Sequence, residues 1–184
     1  MRREELQAEP IDAPASGSHD GLVRSVPPAP LLNDAELSRA LEVLRAAVRE
    51  KGLRGSTVRE AIARVALQQV GHFTVDELVG RVRDAGDAEV HAATVYRVLP
   101  LLVEAGLLQI TLVSSGDGAR YERAFGREHH DHLICTRCGK VVEFEFEAIE
   151  VLQRDVAERF GFHLLGHVHE LLGMCSDCAD APSA

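Results

Sequence analysis

No stretch of this 184-residue chain approaches the ~20 consecutive apolar residues that a bilayer-spanning helix needs. The opening residues, Met1-Arg2-Arg3-Glu4-Glu5, lack the apolar core of a secretory signal. These two absences argue against a membrane protein and predict a cytoplasmic one. An excess of positive charge is also missing. The formal net charge is −9, which at first argues against nucleic acid. There is no cysteine before position 135 and no internal repeat.

The distribution of charge changes the argument. Residues 33–123 carry 12 Lys/Arg against 13 Asp/Glu, so this middle segment is near neutral and can present one basic face. Residues 124–184 carry 5 against 11, and most of the histidines lie there. An acidic, histidine-rich segment suits cations.

Residues 1–32 hold most of the seven prolines and end in Val26-Pro27-Pro28-Ala29-Pro30. No helical or strand period runs through them, which predicts a disordered tail. Asn33 and Glu36 then form a capping pattern, and Leu37, Leu41, Leu44 and Val48 recur at helical spacing before Gly52. Thr57 with Glu60 opens a second helix, carried by Ile62, Val65 and Val70 to a stop at Gly71. Thr74 with Glu77 opens a third, closed by Gly86. A fourth runs from about His91 to Ala105, with Pro100 expected to kink it. Residues 107–113 and 119–123 are strand-prone around a turn at 114–118. Helices followed by one hairpin predict a winged helix. Beyond Gly126 come strands at 131–135 and 140–147, a helix at about 148–160 and a strand through 162–172, which predict a small α/β domain. The fold class is therefore α+β. The expected boundaries are a tail at 1–32, a winged-helix domain at 33–123, a hinge at 124–128, a metal-binding domain at 129–179 and a tail at 180–184.

Cys135-Thr136-Arg137-Cys138 and Cys175-Ser176-Asp177-Cys178 are two C-x-x-C knuckles. Two residues between thiolates allow one tight turn to present both sulfurs to one ion. Two knuckles complete the closed tetrahedral shell of structural Zn(II). In a reducing compartment this reading outweighs disulfides. The closed shell leaves no open coordination position, and no acid/base pair is evident, so the competing class of a zinc-dependent enzyme is not expected.

Glu128-His129-His130-Asp131-His132 lies in a predicted strand, where side chains alternate faces. His130 and His132 then face one way, and His129 and Asp131 the other, so one run can feed two metal sites. Glu143, Glu145 and Glu147 alternate on the next strand, Glu150 follows on the helix, and His167 and His169 share one face. Imidazole and carboxylate ligands suit Fe(II), Mn(II), Zn(II), Co(II) or Ni(II). His19, His91 and His163 are assigned no metal role. Thr94, Tyr96 and Arg97 open the fourth helix, where a helix-turn-helix reads base edges. Arg54 and Arg59 flank the second helix and can grip phosphate.

Together these motifs resemble the ferric uptake regulator family over residues 36–178. The resemblance rests on Gly-Leu-Arg-Gly-Ser-Thr-Val-Arg (52–59), Ala-Thr-Val-Tyr-Arg (93–97), Glu-Ala-Gly-Leu (104–107), His-His-Asp-His-Leu-Ile-Cys (129–135), Cys-Gly-Lys (138–140) and the closing C-x-x-C. It implies a winged-helix domain hinged to an α/β dimerisation domain, a homodimer, and a repressor that binds palindromic operator DNA when metal is bound. It implies a regulatory site of His72, Glu122, His130, His132 and Glu143, and a second site of His129, Asp131, Glu150 and His167. It also matches Arg54, Tyr96 and Arg97 to DNA-contacting positions. No cysteine stands at the hinge, which disfavours control by zinc. Glu143, where peroxide sensors of the family tend to carry Asp, points to Fe(II). Mn(II), Ni(II) or Zn(II) as the sensed ion, and a peroxide-sensing member, are the alternatives.

Overall fold

The computed structural model describes residues 23–86, 90–111 and 119–180. Its first part is helical. In α1 (Asp34–Glu50) the Asn33 side chain accepts from the Glu36 amide, and the Glu36 carboxylate accepts from the Asn33 amide, a complete capping box. Thr74 and Glu77 repeat it at α3 (Val75–Asp84). At α2 (Thr57–Leu67) the cap is Ser56 rather than Thr57, its hydroxyl accepting from the Arg59 amide. That helix stops at Leu67, short of Gly71. The Gln68 side chain leaves it to bond the backbone of Leu32 in both directions, at 3.1 and 2.9 Å.

α4 (Ala92–Glu104) runs through Pro100, which lies on the exposed side, and buries Val95, Val98, Leu99 and Leu102. β2 (Leu108–Thr111) and β3 (Arg120–Arg123) pair antiparallel from Leu108↔Arg123 to Thr111↔Arg120. The expected turn at 114–118 lies outside the described residues. Phe73 adds a bridge to Tyr121, its amide donating at 2.9 Å and its carbonyl accepting at 2.8 Å. This is a winged helix with one continuous apolar core, and Leu41, Leu44, Ile62, Phe73, Leu78 and Leu99 are fully buried in it. Replacing Leu99 by Ala removes buried surface and leaves a void. It is expected to cost ~2–5 kcal/mol of this unit's stability, read as a lower melting temperature.

The second part is a four-stranded sheet in the order β1-β5-β4-β6. β1 (Val23–Ser25) and β4 (Asp131–Cys135) each pair antiparallel with β5 (Val141–Phe146), whereas β6 (Glu170–Gly173) lies parallel to β4. α5 (Glu147–Arg159) and the short α6 (Ser176–Ala179) complete it. The strand expected through 162–172 is confined to β6, and residues 162–169 have no regular structure.

Residues 23–32 depart from the expected disordered tail. β1 pairs with β5, the Val26 amide donates to the Glu143 carbonyl at 2.9 Å, and Ala29 and Leu32 are buried. Arg123 donates to the Pro30 carbonyl at 2.6 Å. These bonds use backbone atoms, so they leave no side-chain period to read. Among the described residues no helix is long and apolar enough to cross a membrane.

Candidate metal centres and nucleic-acid interface

The two knuckles meet because β6 lies parallel to β4, with Cys135 opposite Gly173. All four sulfurs fall within 4.8 Å of one another. Cys138 Sγ and Cys175 Sγ are 3.8 Å apart, too far for a disulfide. That separation matches the edge of a tetrahedron with Zn–S bonds of about 2.3 Å. The Cys175 amide donates to Cys135 Sγ at 3.4 Å. This amide first, and then that of Cys138, hold the Cys135 thiol down to about 6. The neighbouring sulfurs, Cys138 first, push Cys178 up to about 12. Four convergent sulfurs, one already poised as thiolate, fit a structural Zn(II).

The second constellation is set by backbone register. The Phe73–Tyr121 bridge puts the preceding His72 beside the following Glu122. The β4–β5 register puts His132 directly opposite Glu143. Ligand atoms of His72, Glu122, His132 and Glu143 lie within 4.8 Å of one another. His130 stands beside this set rather than within it, its Nε2 at 3.2 Å from Glu122 Oε2 and 3.8 Å from Glu143 Oε2. Its Nδ1 is held at 3.1 Å by the Glu128 carbonyl.

Glu122 is fully buried. Burial works to raise its pKa, but His130, His132 and His72 outweigh that and hold the carboxyl well below the usual carboxylate range. Burial likewise opposes charge on His130, and the Glu122 carboxylate overrides it to raise the imidazole pKa. His72 Nε2 and His132 Nε2 are buried without a well-directed hydrogen bond, although they lie 3.5 and 3.0 Å from Glu122 oxygens. Buried nitrogens aimed at shared oxygens suit a common cation better than one another. Imidazole and carboxylate donors without sulfur suit Fe(II), Mn(II) or Zn(II).

The third constellation lies on the opposite face of β4. His129, Asp131, Glu150 and His167 also place ligand atoms within 4.8 Å. His129 Nε2 and His167 Nε2 lie 3.3 and 3.2 Å from Glu150 Oε1. Asp131 is 1% exposed, yet neither carboxylate oxygen has a hydrogen-bond partner. An unsatisfied buried carboxylate is costly, and a bound cation would remove that cost. His169 Nδ1 lies 3.3 Å from Asp131 Oδ2. Its facing was legible from its alternation with His167, but this approach to Asp131 was not. Gln109 and Arg127, which donate to Glu122 at 2.7 and 2.8 Å, were also missed, because neither belongs to a metal-ligating motif.

Of the predicted DNA contacts, Tyr96 is 59% exposed and Arg97 is exposed, both on the face of α4 opposite its buried stripe. Thr94 is half-buried, and its amide donates to the His91 carbonyl. Arg54 is exposed. Arg59 is half-buried and turns its guanidinium to the Arg54 carbonyl at 2.9 Å.

The sequence pattern of the Ferric uptake regulator family matches residues 50–172. The ferric uptake regulation protein of Campylobacter jejuni is 39% identical over 150 residues, covering 80% of this chain and 94% of that protein. The chain belongs to the ferric uptake regulator (Fur) family. Among solved structures, the Fur of Helicobacter pylori, described as having three functional metal binding sites, aligns with a TM-score of 0.70 and 31% identity. That alignment covers 84% of this chain and all of the other. A zinc uptake regulator complexed with zinc and DNA aligns with a TM-score of 0.50 and 28% identity, over 77% of this chain and 95% of the other. Fur membership makes this chain a metal-responsive regulator of transcription, with a helical N-terminal domain and an α/β C-terminal domain. Its cysteine and histidine/carboxylate groups are able to hold metal ions.

Proposed function

We propose that this Fur-family chain is a dimeric repressor that binds palindromic operator DNA when a divalent cation, Fe(II) foremost, occupies the site of His72, Glu122, His132 and Glu143, with His130 beside it. Cys135, Cys138, Cys175 and Cys178 hold a structural Zn(II), and His129, Asp131, Glu150 and His167 hold a second ion. Arg54, Arg59, Thr94, Tyr96 and Arg97 meet the DNA. The observation that carries the reading is the make-up of the regulatory site. Glu122 belongs to the wing strand β3 and His72 to the segment bridged to it, whereas His132 and Glu143 belong to β4 and β5 of the other sheet. A bound cation supplies Lewis-acid attraction for ligands from both parts. The protein's share is to fix the winged helix against the C-terminal sheet, and so to set the spacing of two recognition helices in a dimer. Linkage then requires that DNA strengthen metal binding by the same factor that metal strengthens DNA binding.

The test uses protein that retains its zinc, titrated with operator DNA selected from a random duplex pool. Binding is followed by fluorescence anisotropy without added metal and with Fe(II) or Mn(II) under anaerobic conditions. Added metal is expected to strengthen binding about tenfold or more. His132→Ala is expected to abolish that increment while the cysteine-bound zinc stays. Equal binding with and without metal overturns the reading.

A further inference from the structure

Arg127 has no part in the ligand sets above, yet its side chain is only 7% exposed and lies among them. It stands between β3 and β4. Its Nη1 donates to Glu122 Oε2 at 2.8 Å and lies 3.4 Å from Glu143 Oε1, while its Nη2 donates to Glu143 Oε2. One guanidinium therefore joins the same two carboxylates, from the same two parts of the fold, that the regulatory cation would join. Both Glu122 oxygens already have donors, because Oε1 accepts from Gln109 at 2.7 Å. An incoming ion would share these oxygens with donors already bound to them, and would meet the guanidinium's positive charge at Glu122 Oε2.

The charge count sharpens the point. Two carboxylates and one guanidinium leave a net charge of −1, with neutral imidazoles. A divalent ion brings this to +1, whereas without the guanidinium it would reach neutrality. Histidine in the same place could shed a proton when metal arrives. Arginine has no such proton to give up, because its guanidinium stays charged in proteins. Burial keeps the resulting repulsion from being screened by water.

We propose that Arg127 is a built-in competitor of the regulatory cation: it holds Glu122 and Glu143 together in the metal-free protein and lowers the affinity of the site for divalent ions. The proposal rests on the reading of this site as the regulatory one. It makes the sensing threshold a property of one residue outside the ligand set.

Co(II) is the probe, followed by its visible absorption in zinc-retaining wild type and in R127Q, R127K and H72A. The regulatory-site signal is the part lost in H72A. R127Q is expected to bind Co(II) about tenfold or more tightly, and R127K, which keeps a cation, to remain near wild type. Equal or weaker binding by R127Q overturns the proposal, because Arg127 would then support the carboxylates rather than compete for them. Absence of any His72-dependent Co(II) signal in wild type defeats the site reading itself, and the proposal with it. Should R127Q fail to fold, the wild type still decides through the Arg127 side-chain N–H resonances, identified by their loss in R127K. Addition of Zn(II) should shift them and speed their exchange with water as the ion pairs loosen. Unchanged resonances overturn the proposal.

Discussion

Removal of the cysteine-bound zinc by a strong chelator, or Cys135→Ser, is expected to unfold the sheet around β4 and leave the winged helix standing. The reason lies in how little the C-terminal part buries. Among the described residues beyond Arg127, only His130, Asp131, His132, Ile134, Cys135 and Phe144 are buried. Three of those are candidate metal ligands on β4, and none of α5, β6 or α6 contributes a buried residue. A single chain thus offers almost no apolar core here, and a small unit without a core needs another source of stability. The β6 strand and the second knuckle are tied to β4 by the parallel ladder, the Thr136 amide on the Gly173 carbonyl at 2.8 Å, and the four sulfurs. Structural zinc contributes on the order of 10 kcal/mol in small zinc-binding peptides. That equals the whole stability of a typical domain, about 5–15 kcal/mol. Zinc removal should therefore abolish the C-terminal thermal transition or lower it by tens of degrees, and leave the helical one nearly unmoved. Limited proteolysis should cut beyond residue 126 and spare the helices. Leu99→Ala gives the reverse pattern. A single unshifted melt and an unchanged digest after verified zinc loss would sink this account.

What could be read from residues alone follows from which interactions are local. Capping boxes at Asn33–Glu36 and Thr74–Glu77 act within one turn, so helix starts were legible. The alternation of His129, His130, Asp131 and His132 needed no partner strand to divide them between two faces, although β4 itself begins only at Asp131 and the first two histidines precede it. Register is different. Nothing in the sequence pairs Tyr121 with Phe73 or His132 with Glu143, and those pairings carry His72, Glu122 and Glu143 to one place. His72 and Glu122 came from family resemblance alone, whereas Glu143 was one of three alternating glutamates until the resemblance singled it out. The strap at 23–32 was illegible because it is held by its own backbone, through pairing with β5 and through the Gln68 side chain on the Leu32 amide and carbonyl. Arg127 was missed for a chemical reason. An arginine in a ligand-poor linker reads as surface, and only the fold turns it inward against two glutamates.

Val156→Glu is expected to split the dimer and, with it, to remove most operator affinity. α5 carries Val151, Leu152, Val156 and Phe160 exposed, Phe160 at 76%. Residues 162–172 add Phe162, Leu165 and Leu172, with Leu165 wholly exposed. Leu152, Val156, Phe160, Phe162 and Leu164 line an apolar groove of about 510 Å³. Among the described residues β6 is an edge strand of its sheet, paired only with β4. Scattered exposed leucines are ordinary, but a contiguous apolar face with a free strand edge marks an interface. In the proposed dimer the near absence of an internal core in this part has the same explanation: its apolar residues would pack on a second copy, as in obligate homodimers. A glutamate at position 156 would bury a charge at that contact, yet it suits the helix and touches no core in the single chain, so the helical unit should fold normally. The expected result is a monomer by light scattering at micromolar concentration. Operator binding should weaken by roughly 100-fold or more, because two half-sites no longer share one linked molecule. Val156→Leu, which keeps the apolar contact, should remain dimeric. If the glutamate variant stays dimeric and binds operator like wild type, the partner is held elsewhere, and the exposed face of α5 needs another occupant.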